Sequence, residues 1–118
     1  MTQPRRPSAQ SFIGQEVTVH IDRPAGSRHP KWGFVYPLNY GYVPGVFGGD
    51  GEELDAYVLG VKAPLVVFTG VCTAVLHRLN DDDDKLILTP VGQTFTDNQI
   101  RALVDFQERF FQSEIWRD

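Results

Sequence analysis

At 118 residues, with 42% hydrophobic residues, the chain is long enough for one domain with a sizeable core. No apolar run approaches the ~18 residues of a membrane span, and no charged-apolar-small opening suggests a signal peptide. The net charge of −4 argues against a nucleic-acid partner, and the single cysteine, Cys72, excludes an internal disulfide and points to the cytoplasm.

In chain order, residues 1–10 carry two prolines and two arginines without apolar periodicity and read as a disordered tail. Residues 11–118 read as a single domain. Residues 16–21 alternate, with Val17, Val19 and Ile21 on one side and Thr18 and His20 on the other, which predicts a half-buried strand. Residues 22–30 form a Pro/Gly loop, and a short strand is expected over 31–35. Residues 40–43 predict another strand, ended by Pro44 and Gly45. Four loop formers follow, at 48–51.

Residues 54–59 predict a strand with Asp55, Tyr57 and Leu59 on one face. Residues 65–79 are rich in β-branched and aromatic types, and Gly70 is the expected bulge, leaving a strand over 71–78. The acidic run 80–84 turns the chain into a strand at 85–89, so 71–89 is an expected hairpin. Thr96 and Gln99 form a capping box for a helix over 97–112. Ile100, Leu103, Val104, Phe110 and Phe111 are its apolar face, with Arg101, Glu108 and Arg109 outside. The fold class is mainly β (α+β): a five-stranded OB-like closed barrel with one C-terminal amphipathic helix.

Three groups of residues bear chemistry. Asp50, Glu52 and Asp55 surround a glycine-rich turn. Their spacing is open to a solvated turn and to an oxygen cage for Mg²⁺ or Mn²⁺. The run 81–84 places four like charges side by side before Lys85, which requires solvent exposure or cations. In strand period Asp83 and Lys85 share a side, and a lysine beside a metal cage is a natural contact for phosphate oxygens. Tyr36, Tyr40 and Tyr42 are open to a barrel-core role or to a role as phenol donors. Arg23, Arg28 and Lys31 form either plain surface or an anion-recruiting rim, and no histidine spacing suggests a metal site.

Taken together, YPLNYGYVPGVFGGDGEELD and the downstream DDDDKLILTP resemble the soluble family I inorganic pyrophosphatases over roughly residues 15–90. The resemblance implies Mg²⁺-dependent, or Mn²⁺-dependent, hydrolysis of pyrophosphate by a metal-activated water. It implies metal ligands at Asp50, Glu52, Asp55, Asp81 and Asp83, with Glu52 accepting the water's proton. It implies that Lys85 and Tyr40 act at the reacting phosphate, and that Tyr36, with Lys31 or Arg28, contacts substrate. The chain departs from the family in carrying His20 where a glutamate is usual, in lacking a hairpin between Ile21 and Tyr36, and in placing Phe110 and Phe111 where a tyrosine-lysine pair holds phosphate. The expected partner is a small phosphoanhydride. The alternatives are hydrolysis of another phosphoanhydride, a metal-binding module without turnover, and an oligonucleotide-binding barrel. The aromatic helix end suits either its own barrel or a homo-oligomer interface.

Overall fold

A computed structural model of the chain describes residues 9–49, 51–80 and 83–117. The expected metal ligands Asp50 and Asp81, and most of the expected tail, lie outside the described residues. After a short 3-10 turn at Ala9–Phe12, the strands are β1 (Glu16–Arg23), β2 (Asn39–Phe47), β3 (Glu53–Val58), β4 (Val67–Arg78) and β5 (Asp84–Thr89). The helix α1 (Asp97–Glu108) and a last strand, β6 (Ser113–Trp116), complete the chain. The order β1-β2-β3-β5-β4 closes through pairing of β4 with β1, giving the five-stranded barrel expected from the pattern. Among the described strands only β3 and β5 run parallel.

At 12 residues β4 is the longest strand. One of its edges serves two partners, β1 along Val67–Val71 and β6 along Val75–Arg78. The other edge carries β5, and this is the expected hairpin. Gly70 is not its bulge. Gly70 pairs in register with Val17, and a Cβ there would come within 2.5 Å of the Thr89 carbonyl oxygen, so the glycine serves close approach. The register shift falls instead between Cys72 and Ala74. The extra residue reverses the alternation, so Cys72 and Val75 both face the barrel interior while Ala74 and Leu76 face outward.

The described residues form two cores. Val17, Val19, Leu54, Ala56, Val58, Leu86 and Leu88 fill the barrel. Tyr36, Tyr40, Tyr57, Leu59, Leu76 and Ile87 pack on its outer face under Ile100 and Val104 of α1. The tyrosines are therefore core residues of the barrel–helix layer rather than of the barrel interior. The expected faces of β1 and β3 are those observed.

Other expectations are corrected. No strand forms over 31–35. Residues 26–36 make an irregular hairpin held by backbone bonds from His29 to Phe34 and from Tyr36 to Ser27, with a single bridge between Arg28 and Val35. Pro44 and Gly45 do not end β2, which continues to Phe47 past a register shift. Gly45 has φ +76° and gives its N–H to the Glu53 carboxylate. The capping box at Thr96 and Gln99 forms as expected, but α1 ends at Glu108, four residues early, because the chain must turn to add β6 to β4. Leu103 and Phe110 are exposed. Glu108, expected outside, is buried because it follows Ile100 and Val104 at successive steps of four.

Candidate active site

The site lies on the outer face of the barrel, where strand register brings distant residues into one row. His20 pairs with Tyr42, Tyr42 with Asp55, and Asp55 with Lys85. The parallel β3–β5 contact thus sets a carboxylate beside an amine thirty residues later. Lys85 is almost wholly buried, so its ammonium requires partners. It donates to Asp55 Oδ2 and to Asp83 Oδ2, each at 2.8 Å. The two carboxylate oxygens therefore lie within twice that distance of one another. Tyr40 donates its phenol to the same Asp55 oxygen at 2.7 Å. Burial first, and then the Asp55 charge, hold the Tyr40 hydroxyl well above the usual phenol range, so it stays a donor.

Asp83 continues the network into the helix. Arg78 donates from Nη1 to Asp83 Oδ2 at 3.2 Å, and grips Glu108 with Nε to Oε1 at 2.9 Å and Nη2 to Oε2 at 2.8 Å. Burial opposes the guanidinium charge, but hydrogen bonds and charge from Glu108 outweigh it and raise the Arg78 pKa. Tyr57 donates to Glu108 Oε2 at 2.5 Å. Gln107 donates to the Tyr57 oxygen at 2.7 Å and accepts from Tyr36 at 2.9 Å. A single polar chain thus runs from Tyr40 through Asp55, Lys85, Asp83, Arg78 and Glu108 to Tyr57 and Tyr36. No described side-chain atom that is fully buried lacks a partner.

Of the residues singled out in the sequence, Tyr40, Asp55, Asp83 and Lys85 come together. Tyr36 joins through Gln107, and its ring packs 5.6 Å from Tyr40. Glu52 is exposed in the turn before β3, where Gly48 donates to its carbonyl. Arg28 and Lys31 are not drawn into the network: Arg28 donates to the Gly33 carbonyl, and the Lys31 ammonium sits over the Trp32 ring at 4.7 Å. Arg78, Glu108, Tyr57 and Gln107 have no site role in the sequence pattern, although Tyr57 is expected on the Asp55 face of its strand and Glu108 on the outside of the helix. The available signal for Glu108 was its place on the Ile100–Val104 face. Arg78 had none, because its role depends on where the helix docks.

Beside this network opens a cavity of about 670 Å³. Lys85, Arg78 and Tyr40 form one part of its lining, and His29, Trp32, Phe34, Phe110 and Phe111 the rest. Phe111 lies against Arg78, its ring 3.6 Å from the guanidinium carbon.

Among the described residues no cluster of three or more histidine, cysteine or acidic side chains forms. Asp55 and Asp83 are nonetheless convergent hard-oxygen donors, partly open to solvent and held by one shared ammonium. That donor type fits a divalent cation of the Mg²⁺ or Mn²⁺ class better than a zinc site.

The barrel architecture is that of bacterial inorganic pyrophosphatases. It superposes on the enzyme structure from Ehrlichia chaffeensis with a TM-score of 0.68, covering 97% of this chain and 92% of that one at 20% identity. The structure from Thermus thermophilus matches at a TM-score of 0.60 and 18% identity, over 98% and 88% of the two chains. At the level of sequence the inorganic pyrophosphatase family profile matches residues 11–116, and the chain belongs to that family. An inorganic pyrophosphatase of Xylella fastidiosa is 39% identical over 111 residues, which cover 75% of this chain and 62% of that protein. One of Neisseria meningitidis is 28% identical over 120 residues, covering 84% and 67%. The chain thus spans about two thirds of the length of these curated relatives.

Proposed function

We propose that the chain hydrolyses inorganic pyrophosphate to two phosphates, using Mg²⁺, with Mn²⁺ as a substitute. The observation that carries this reading is the joining of Tyr40, Asp55, Lys85 and Asp83 on one face through bonds of 2.7–2.8 Å, in a chain whose family is that of inorganic pyrophosphatases. Asp50, Glu52, Asp55, Asp81 and Asp83 would hold the ions. Bound there, divalent ions supply charge to phosphate oxygens and lower the pKa of a water.

The chain's own residues do the rest. Glu52, exposed at the turn, takes the proton that the attacking water loses. Lys85 holds two carboxylates in place and brings a fixed positive charge to the oxygens of the reacting phosphate. Tyr40 remains protonated and offers a hydrogen bond from beside Asp55. Tyr36 borders the site, and Arg28 and Lys31 form an outer basic rim that draws in the anion. Residues 11–118 act as one domain. The single cysteine suits a reducing compartment, which supports the cytoplasm as its place of action.

The test is phosphate release from pyrophosphate as Mg²⁺ is titrated, for the wild type and for Asp55→Asn. The amide keeps the shape and still accepts from Tyr40, but it removes a metal-binding charge. Activity should fall by two orders of magnitude or more, roughly the loss seen when one transition-state electrostatic contact is removed, with an unchanged circular dichroism spectrum. Full activity in Asp55→Asn would reject the site.

A further inference from the structure

The cavity beside Lys85 is ill-matched to pyrophosphate alone. Pyrophosphate is compact, highly charged and without apolar surface, whereas much of this wall is aromatic. A volume of about 670 Å³ and an aromatic lining belong to sites for larger organic ligands. Trp32 is 67% exposed and Phe110 66% exposed, large rings left open on opposite segments of the chain. Phe34 stands near both groups, 4.9 Å from His29 and 6.5 Å from Phe110, with the Phe110 ring inclined to it by only 28°. These rings adjoin Arg78 and Lys85, the cations of the polar network.

From this juxtaposition we propose that the chain's preferred phosphoanhydride substrate is a nucleoside diphosphate, its base stacked among Trp32, Phe34 and Phe110 and its terminal phosphate at Lys85. The proposal rests on the hydrolase reading above and names the substrate class of that same site. A planar base matches ring walls, because every base has a π-face that stacks on an aromatic side chain. His29 favours a heterocycle over a hydrocarbon chain. Its Nδ1 accepts the backbone N–H groups of Lys31 and Trp32, both at 3.0 Å, so the neutral ring carries its proton on Nε2. Burial, and then the charges of Arg23 and Lys31, lower its pKa and favour that neutral form. A ring N–H donor has partners on a base and none on an isoprenoid tail.

The chemistry balances without a further reactant. The water oxygen bonds to the terminal phosphorus, the bridging P–O bond breaks, and the nucleoside monophosphate leaves with the electron pair. Inorganic phosphate is the second product, and the proton lost by water passes to Glu52.

The experiment measures Mg²⁺-dependent phosphate release from ADP, pyrophosphate and geranyl diphosphate, for the wild type and for Phe110→Ala. A parallel titration follows Trp32 fluorescence in a Trp116→Phe background. The expected result is kcat/KM for ADP above that for both other substrates. Phe110→Ala should lower the ADP value by about fivefold or more, a loss of one stacking contact, and leave pyrophosphate within about twofold. ADP should quench Trp32 where pyrophosphate does not. Turnover of pyrophosphate without ADP turnover overturns this inference and leaves the hydrolase reading standing, as does a preference for geranyl diphosphate. An ADP rate insensitive to Phe110→Ala also overturns it. If no substrate releases phosphate, the hydrolase reading fails, and the substrate proposal fails with it.

Discussion

Lys85 is the residue on which the polar face depends. A buried ammonium is tolerable only when paired, and here it is paired twice, with Asp55 and Asp83. The sequence placed Asp83 and Lys85 on one side of a strand and Asp55 on another, but not the two strands side by side. Cys72 is the opposite case, a buried side chain that belongs to the packing of the barrel and not to the polar face. It is wholly buried in the barrel, and burial pushes its thiol up to about 11, from 9.0. The folded state thus favours the neutral thiol. The contribution to stability is complete below pH 9 and is lost as pH rises through 11. Native protein at pH 8 should therefore leave a disulfide reagent unconsumed, and unfolding in guanidinium should release one reactive thiol. Rapid modification of the native chain would contradict this burial.

At the scale of elements, α1 does two jobs. Ile100 and Val104 seal the outer face of the barrel, and Glu108 at its last turn pairs with Arg78. The helix was legible from its apolar spacing and its capping box. Its end was not, since four residues of helical pattern yield to the pairing of β6 with β4. Removing the charge of Glu108 tests the pairing. Glu108→Gln leaves the buried Arg78 without its main counter-charge, a change of about 3–5 kcal/mol when a buried pair is broken. A thermal melt should show a large drop in midpoint, and Arg109→Gln, on the exposed side, should show almost none. Equal effects would show that the buried pairing is energetically unimportant. The hairpin β4–β5 is equally legible, but its bulge lies between Cys72 and Ala74 and not at Gly70. The sequence marks a glycine; only the β5 backbone passing close to it explains why a side chain is excluded there.

For the whole molecule, barrel and helix share one outer core, so they should unfold together. Tyr57 and Ile87 of the barrel pack in the same cluster as Ile100 and Val104. Far-UV circular dichroism and Trp116 fluorescence, the latter in a Trp32→Phe background, should give coincident urea transitions. Trp116 lies on β6 with its ring 4.3 Å from that of His77, so it reports the far edge of the barrel. Two separated transitions would show the helix to be an independent unit.

The sequence by itself determined the five strands of the barrel, the barrel class, the helix start and the residue types at the site, because periodicity and turn chemistry are local; it offered a strand over 31–35 that does not form and no sign of β6. All three residues of the Asp55–Lys85–Asp83 group could be named from it. What only the tertiary structure decided is which of them meet, that they lie on the outside of the barrel, and that Arg78 and Glu108 complete them. Register between β3 and β5 and the docking of α1 are set by packing between segments far apart in the chain, and no local pattern encodes them. The same docking brings Phe110 and Phe111 to the hairpin that carries Trp32 and Phe34, turning residues that read as a lost phosphate clamp into the wall of a cavity.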